Sequence, residues 1–572
     1  MPEHPTHSAQ HHAGKFTSRQ RTIALVIVAM AFVMDLLDNT IVNIAIPSIR
    51  ADLGASYSTI QWLIAGYALS FATLLITGGR MGDVFGYKKL FLIGVGGFTF
   101  ASLLSGAAWS SEILIVARLL QGAMAALMVP QVMSLMQVMY KPRERGPIMG
   151  IFGALAGVAA SLGPVVGGIL IHFNIAGLEW RPIFLINIPV GIVVIYFAIK
   201  YLPEGKSPHP LKLDVIGTFL IMIAMFLLVF PLIQGRELDW PAWIFAVMAS
   251  SIPVLILFGW WQVVKEKRDN SPLIVPALLR VKTFIAGLLV NISFEGAMIG
   301  FFLPFTLLLQ IGLGYDIIEA ALTGIPTAIG ISLTMAIVAQ KLIPILGRYT
   351  IVLGTVVMAA GLGLIFYMLH TSGLSTTPWQ FIPGLLVTGA GMALIMAPMF
   401  SVVLNDVDPK HAGSASGVLN AVQQLGGAIG TALIGVVFFG QLVSHAPASF
   451  DSVEPQIRSS LASAQLPAQA VDSIITASRT CYVDTSKQKD ETQTPTSCKA
   501  LTSTNQQNGL PKETNDAIQS ALTSGIKSAN ANNFISAFGA AVLFELVVLA
   551  IVLGLSFLLP RHIRPELIEQ GH

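Results

Sequence analysis

Long apolar runs separated by short polar stretches repeat along almost the whole chain. A helix that crosses a bilayer needs about 20 mostly apolar residues. Fourteen runs meet that need, at about 22–46, 59–79, 89–108, 112–137, 146–172, 182–201, 213–234, 242–264, 284–310, 319–340, 349–369, 379–403, 412–440 and 534–559. Each predicts a spanning α-helix, so the expected fold class is an all-α membrane protein. Lysine and arginine favour alternate connections: Lys88 and Lys89, then Lys141, Arg143 and Arg145, then Lys200, Lys206 and Lys212. Lys265, Lys267, Arg268, Arg280 and Lys282 follow, then Lys341, Arg348, Lys410, Arg561 and Arg564. The other connections carry little beyond Arg50, Arg181 and Arg236. Basic loops mark the cytoplasmic face, and an even number of spans then puts both termini there.

One segment breaks the rhythm. Residues 441–533 are rich in Ser, Thr, Ala, Gln and Asn and hold no spanning run. The register places them outside, and alanine-rich patches at 459–464 and 516–522 suggest short helices. Both cysteines of the chain, Cys481 and Cys498, fall there. On an oxidising side they are expected to form a disulfide, the alternative being two free thiols. The segment could cap the outer mouth, contact a partner or be a loosely ordered insertion.

Composition agrees with a polytopic membrane protein. The 572 residues are 54% hydrophobic and 11% charged, with a mean hydropathy of +0.72, where soluble domains are roughly 25% charged. A net charge of +3 is too small to suggest nucleic-acid binding. His4, His7, His11 and His12 lie in a polar N-terminal stretch without the basic-then-apolar pattern of a removable leader, read as a disordered cytoplasmic tail. There is no metal-spaced cluster, no nucleophile elbow and no glycine-rich loop ending in Gly-Lys-Ser/Thr. No enzyme, bound metal, cofactor or ATP-driven pump is expected.

Ionisable residues inside the apolar runs narrow the function. Asp38 lies in the first run and Asp35 one turn earlier on the same face. A carboxylate in lipid costs roughly 2.5–3.5 kcal/mol on insertion scales, so such acids face protein or water and mark ion or substrate paths. Arg118, in the fourth run, needs a partner too. The first run travels outward and the fourth inward, so at about 1.5 Å per residue Asp38 and Arg118 reach similar depth. They could touch directly or share a water-lined cavity. Glu295 sits near the middle of the ninth run, facing either a cavity or a neighbouring helix as a hydrogen-bond partner. Glu545, in the last run, is read as structural.

Three glycine-bearing stretches complete the pattern. The loop after the second run reads Gly79-Arg80-Met81-Gly82-Asp83-Val84-Phe85-Gly86-Tyr87-Lys88. Its glycines let helix ends approach, and its acid can cap a helix or pair across a domain boundary, holding one conformation closed. The fifth run carries Gly150, Ala159, Gly163, Pro164, Gly167 and Gly168, small residues for close helix packing with a proline expected to kink the helix. Trp180-Arg181-Pro182 then forms an interface turn leading to Asn187-Ile188-Pro189-Val190-Gly191.

In order and spacing these motifs resemble the major facilitator superfamily, specifically its fourteen-span drug:proton antiporter branch (EmrB/QacA type). The first-run motif matches at Asp38, Thr40, Asn43, Ala45 and Pro47, and the loop signature at Gly79, Asp83, Gly86 and Lys88. The fourth-run motif matches at Arg118, Gln121 and Gly122. The antiporter motif matches at Gly150, Gly163, Pro164, Gly167 and Gly168, with Ala159 replacing a glycine. Val84 and Tyr87 stand where the family often has arginine. The second half matches from His411 to Asn420 and from Gln424 to Gly427.

The resemblance implies the major facilitator fold: an N-terminal bundle of six helices (22–201), two linking helices (202–270) and a C-terminal bundle (271–440 and 534–559). The cytoplasmic tails (1–21 and 560–572) and the extracytoplasmic insertion (441–533) lie outside the bundles. It implies a bacterial inner-membrane exporter that moves amphipathic, cationic drugs by alternating access, driven by the proton gradient. Asp38, Asp35 and Arg118 would couple protons. Glu295, Asp38, Asn43 and Gln121 would bind substrate, with Phe32, Met34, Trp62, Phe302, Phe305 and Met392 as adaptable lining. The glycine-bearing stretches would serve the conformational change. Expected partners are drug-like molecules, protons and lipid, with a periplasmic adaptor protein allowed, and the chain is expected to be monomeric. Two alternatives remain: export of one metabolite, such as an antibiotic or siderophore, or a non-transporting scaffold that uses its outer domain.

Overall fold

The computed structural model describes residues 18–140, 142–207, 211–338, 342–408, 411–462, 466–487, 495–499 and 512–561. The histidine-bearing N-terminal stretch and residues 562–572 fall outside them. The first half of the chain forms α1 (Ser18–Leu53), α2 (Tyr57–Phe85), α3 (Tyr87–Gly106), α4 (Ser111–Met139), α5 (Pro142–His172) and α6, in two pieces (Pro182–Leu185 and Asn187–Tyr201). The hairpin α7 (Val215–Gln234) and α8 (Ala242–Asp269) follows. The second half has α9 (Lys282–Leu307), α10 in two pieces (Ile317–Thr323 and Ile325–Ile337), α11 (Tyr349–Ser372), α12 (Pro378–Val403), α13 (Ala412–Ala462), α14 (Ala468–Lys487) and α15 (Lys512–Ser556). Among the described residues, 13 helices are long and apolar enough to cross a membrane. The 31-residue α5 supplies the fourteenth expected span and continues through Pro164 as one helix.

The polar breaks seen in the sequence end helices for identifiable reasons. Ser56 and Ser110 accept backbone N–H groups at the starts of α2 and α4, and Asp214 does so for α7. Asp316 and Glu319 form a reciprocal box at the start of α10. Gly86 turns α2 into α3 with φ of 101°, a shape that side-chain-bearing residues rarely adopt.

The interrupting segment differs from expectation. Its alanine-rich patches are not separate short helices, because α13 runs unbroken for 51 residues and α15 for 45. Both project beyond the bundle and pack with α14 as three helices. The reason is a sparse apolar stripe. Phe450, Val453, Ile457 and Leu461 of α13 meet Val471, Ile475 and Tyr482 of α14 and Ile518 and Leu522 of α15. Arg458 pairs with Asp472, and Arg479 with Asp451, across α13 and α14. A disulfide joins Cys481 to Cys498. We call this the insert end of the molecule.

Apolar packing is asymmetric from end to end. One cluster unites both halves; the fully buried residues that α1, α2, α4 and α6 give it lie near the insert end, such as Ile41, Ile49, Ile60, Leu114 and Phe184, while the partly buried Ile76 of α2 packs against it farther away. A second cluster fills the opposite end of the first half alone, around Val28, Phe71, Phe98 and Met136, and meets the second half only at Ala421. Among the described residues, then, the halves close on each other at the insert end, while their buried cores stay separate at the other.

Within the second half α9 crosses α13 at glycines. A Cβ on Gly430 would overlap the backbone of Gly296, so this crossing tolerates no larger residue without a shift of the helices. Gly430→Val should therefore cost about 1–3 kcal/mol by overpacking. It is read as a lower melting temperature of the purified protein; an unchanged value would show that the crossing is loose.

Candidate functional site

Five helices of the first half converge on one buried carboxylate. Asp38, on α1, is 1% exposed, and Arg118, on α4, is equally buried. Arg118 Nη1 lies 2.5 Å from Asp38 Oδ2, so the equal depth read from the sequence becomes an ion pair. The other carboxylate oxygen, Oδ1, accepts from Gln121 Nε2 and from Asn187 Nδ2, each at 2.7 Å. Ser102, on α3, receives the same two amides. Arg118 and Gln121 stand three residues apart on one face of α4, and Gln121 Oε1 in turn accepts from Arg118 at 2.8 Å. The guanidinium also donates to the Leu63 carbonyl and lies 4.4 Å above the Tyr67 ring, an attractive arrangement for a cation. Tyr67, on α2, donates its hydroxyl to Asp35. Two acids, one cation and one phenol thus form a single chain of contacts.

Burial makes that geometry consequential. A lone ion here would cost several kcal/mol, and charge-assisted hydrogen bonds with matched geometry offset it. Every group facing Asp38 in this arrangement is a donor, which suits a carboxylate.

Sequence reasoning located Asp35, Asp38, Arg118 and Gln121, and the structure brings all four together. It missed Tyr67, Ser102 and Asn187. Asn187 stood in the interface turn already singled out, and a buried acid's need for donors was the available signal. Asn43, five residues beyond Asp38, faces about 140° away at 100° per residue and does not join the cluster. Glu295 lies in the other half, where it accepts from Gln423 Nε2 at 2.6 Å, so the interhelical hydrogen bond between α9 and α13 is present. Asn291 sits one turn earlier, and its buried Oδ1 has no partner among the described residues. Glu545, 1% exposed, also leaves one oxygen unpaired among them.

In the glycine-bearing loop, neither Asp83 nor Lys88 reaches across to the second half. Asp83 accepts from Tyr87 Oη at 2.9 Å, and Lys88 donates to the Ile199 carbonyl, both within the first half. Tyr87, standing where the resembling family often has arginine, is what keeps Asp83 local. Gly79 lies against Pro130. In α5, Gly163 and Gly167 give α1 room at Thr40, Ile41 and Ile44, and Gly168 admits Ala321 of α10. The first two set the position of α1 just past Asp38; the third is a contact between halves. The surroundings of Gly150 fall outside the described residues.

Comparison with known proteins agrees with this architecture. The family model described as Major Facilitator Superfamily matches residues 28–431. The "Probable actinorhodin transporter" of Streptomyces coelicolor is 39% identical over 97% of this chain and 94% of its own length. The "Tetracenomycin C resistance and export protein" of Streptomyces glaucescens is 32% identical, over 72% of this chain and 75% of its own. "Multidrug resistance protein Stp" of Mycobacterium tuberculosis is 28% identical over 73% and 76%. Among solved structures, a bacterial homologue of the lysosomal transporter Spinster covers 95% of this chain and 97% of its own, with TM-score 0.56 and 15% identity, which supports the fold. The chain belongs to the major facilitator superfamily. It is a multi-pass membrane protein and a transporter, not an enzyme.

Removing one partner of a buried ion pair strands the other. Arg118→Leu should destabilise the protein by about 3–5 kcal/mol, and adding Asp38→Asn should recover a substantial part. Thermal unfolding of the two purified variants tests this. A double variant no more stable than Arg118→Leu would mean that charge is not what holds these helices.

Proposed function

We propose that this protein exports drug-like small molecules across the bacterial cytoplasmic membrane in exchange for protons, by alternating access. One observation carries the reading: a carboxylate held by a buried arginine inside the membrane-spanning bundle, in a chain whose halves share a fully buried apolar core at one end. The relatives named for export and resistance support the transport of drugs and antibiotics. The positive-inside pattern supports cytoplasmic termini and an outer insert.

In the proposed cycle a proton from outside binds Asp38. Its charge disappears, and Arg118 is left to Gln121, the Leu63 carbonyl and the Tyr67 ring. Asp35, bonded to Tyr67, takes part through that ring. The weakened tie between α1 and α4 shifts the balance between the two arrangements of the halves, which couples proton to cargo only if each has different affinities in the two states. Glu295, across the divide, supplies the acid for a cationic amphipath. Asn43 and Gln121 complete the binding set, and the glycines of α5 let α1 and α10 move. The protein acts without a cofactor and as a monomer, and the insert is the surface to which a periplasmic adaptor protein would attach.

A second reading is export of one metabolite. It is favoured by the full-length similarity to the Streptomyces coelicolor protein, whose printed name is for a single compound.

Resistance and efflux of a compound panel in a pump-deficient host, wild type against Asp38→Asn, separates these readings. Broad efflux, driven by a pH gradient in inverted vesicles and lost on substitution, is expected. Transport confined to one compound selects the second reading, and undiminished gradient-driven efflux by Asp38→Asn overturns the coupling role.

A further inference from the structure

The hairpin α7–α8 lies outside both six-helix halves, and its contacts differ at its two ends. At the end away from the insert it is fastened to the first half and to the linker that follows it. Thr218 meets Thr77 of α2 at 2.6 Å. Asp214 collects Trp261 Nε1 and Gln262 Nε2 of α8. Arg80, at the foot of α2, donates to the carbonyls of Ser271, Pro272 and Leu273. Ser271, Pro272 and Leu273 lie in the connection between α8 and α9, ahead of the second half's first helix.

Towards the insert the picture changes. Met225, Val229 and Ile233 of α7 enter one cluster with Ala65, Ala68 and Leu69 of α2 and with Ala428 and Ala432 of α13. The hairpin therefore fills the seam where α2 and α13 meet, and it touches both halves. At the tip, Trp62 of α2 donates to Gln234. Beyond Gln234 stands Arg236, whose guanidinium lies 5.5 Å from the Tyr57 ring of the first half and 5.4 Å from the Phe439 ring of the second. Those rings are themselves 4.1 Å apart. Arg50 covers Tyr57 at 3.6 Å. One cation from the hairpin thus bridges an aromatic pair that spans the divide.

We infer that the hairpin α7–α8 is a brace riding on the first half, and that Arg236 is the residue that fastens the second half to it when the insert end is closed. Opening that end requires the Tyr57–Phe439 pair to part and Arg236 to lose one of its two rings, whereas the Arg80 and Asp214 fastenings need not change. Two cation–aromatic contacts are enough to weight the balance between closed and open without locking it.

The test needs neither cargo nor proton gradient, so it can fail independently of the proposed transport. Full-length protein in detergent carries a reporter Ala432→Cys, at the three-way seam, or Ala198→Cys, in the core of the first half away from it; the native cysteines are bonded to each other. Labelling by a water-soluble maleimide is timed with Arg236, Arg236→Lys and Arg236→Gln. Arg236→Gln should speed labelling of Ala432→Cys roughly tenfold and leave Ala198→Cys unchanged, while Arg236→Lys stays near the parent. Equal rates at Ala432→Cys, or a matching rise at both reporters, would overturn the inference.

Discussion

A negative charge placed where lipid surrounds the protein dictates much of what this molecule is. Asp38 is stable only because Arg118 and Gln121 of α4 and Asn187 of α6 point donors at it, while Ser102 of α3 accepts from the same two amides. That requirement fixes the rotation of α4, so that Arg118 and Gln121 share a face. It fixes the depth of α6 at Asn187, and it gives Ser102 a reason to lie inside an otherwise apolar α3. The first half is thus organised about an electrostatic centre, whereas the second half packs mainly by shape, through glycines such as Gly296 and Gly430.

Much of this was legible in the sequence because the bilayer simplifies the problem. Run lengths gave the spanning helices, and run direction gave the matching depths of Asp38 and Arg118. Tyr67 and Ser102 were not legible. Each is an ordinary residue of an apolar helix until the rotation of that helix is known, and rotation is set by packing among helices distant in sequence. The insert was misread for a related reason. Its stripe of Phe450, Val453, Ile457 and Leu461 is diluted by serine and alanine, so the pattern looked like short helices rather than the ends of long ones. Asp83 was expected to cap a helix or to pair across a domain boundary, and here it accepts from a local tyrosine four residues on.

Which end of the molecule is closed was equally hidden. The two halves meet through apolar residues near the insert in one place and through almost none elsewhere, and such near-balanced interfaces leave no trace in local propensity. The hairpin α7–α8 shows the same limit. Its sequence announces two spans, while its position in the seam between α2 and α13 emerges only from the packing of Ala65, Val229 and Ala432.

The unbroken course of α13 out of the bundle has a mechanical consequence. Residues 441–462 add about 33 Å of rigid rod at 1.5 Å per residue. Were the second half to tilt by about 10°, the far tip would sweep roughly 6 Å, a displacement several times larger than any at the pivot. The three-helix insert would thereby act as a pointer geared to the tilt of the second half, and whatever binds its tip would feel such a tilt as a change of reach.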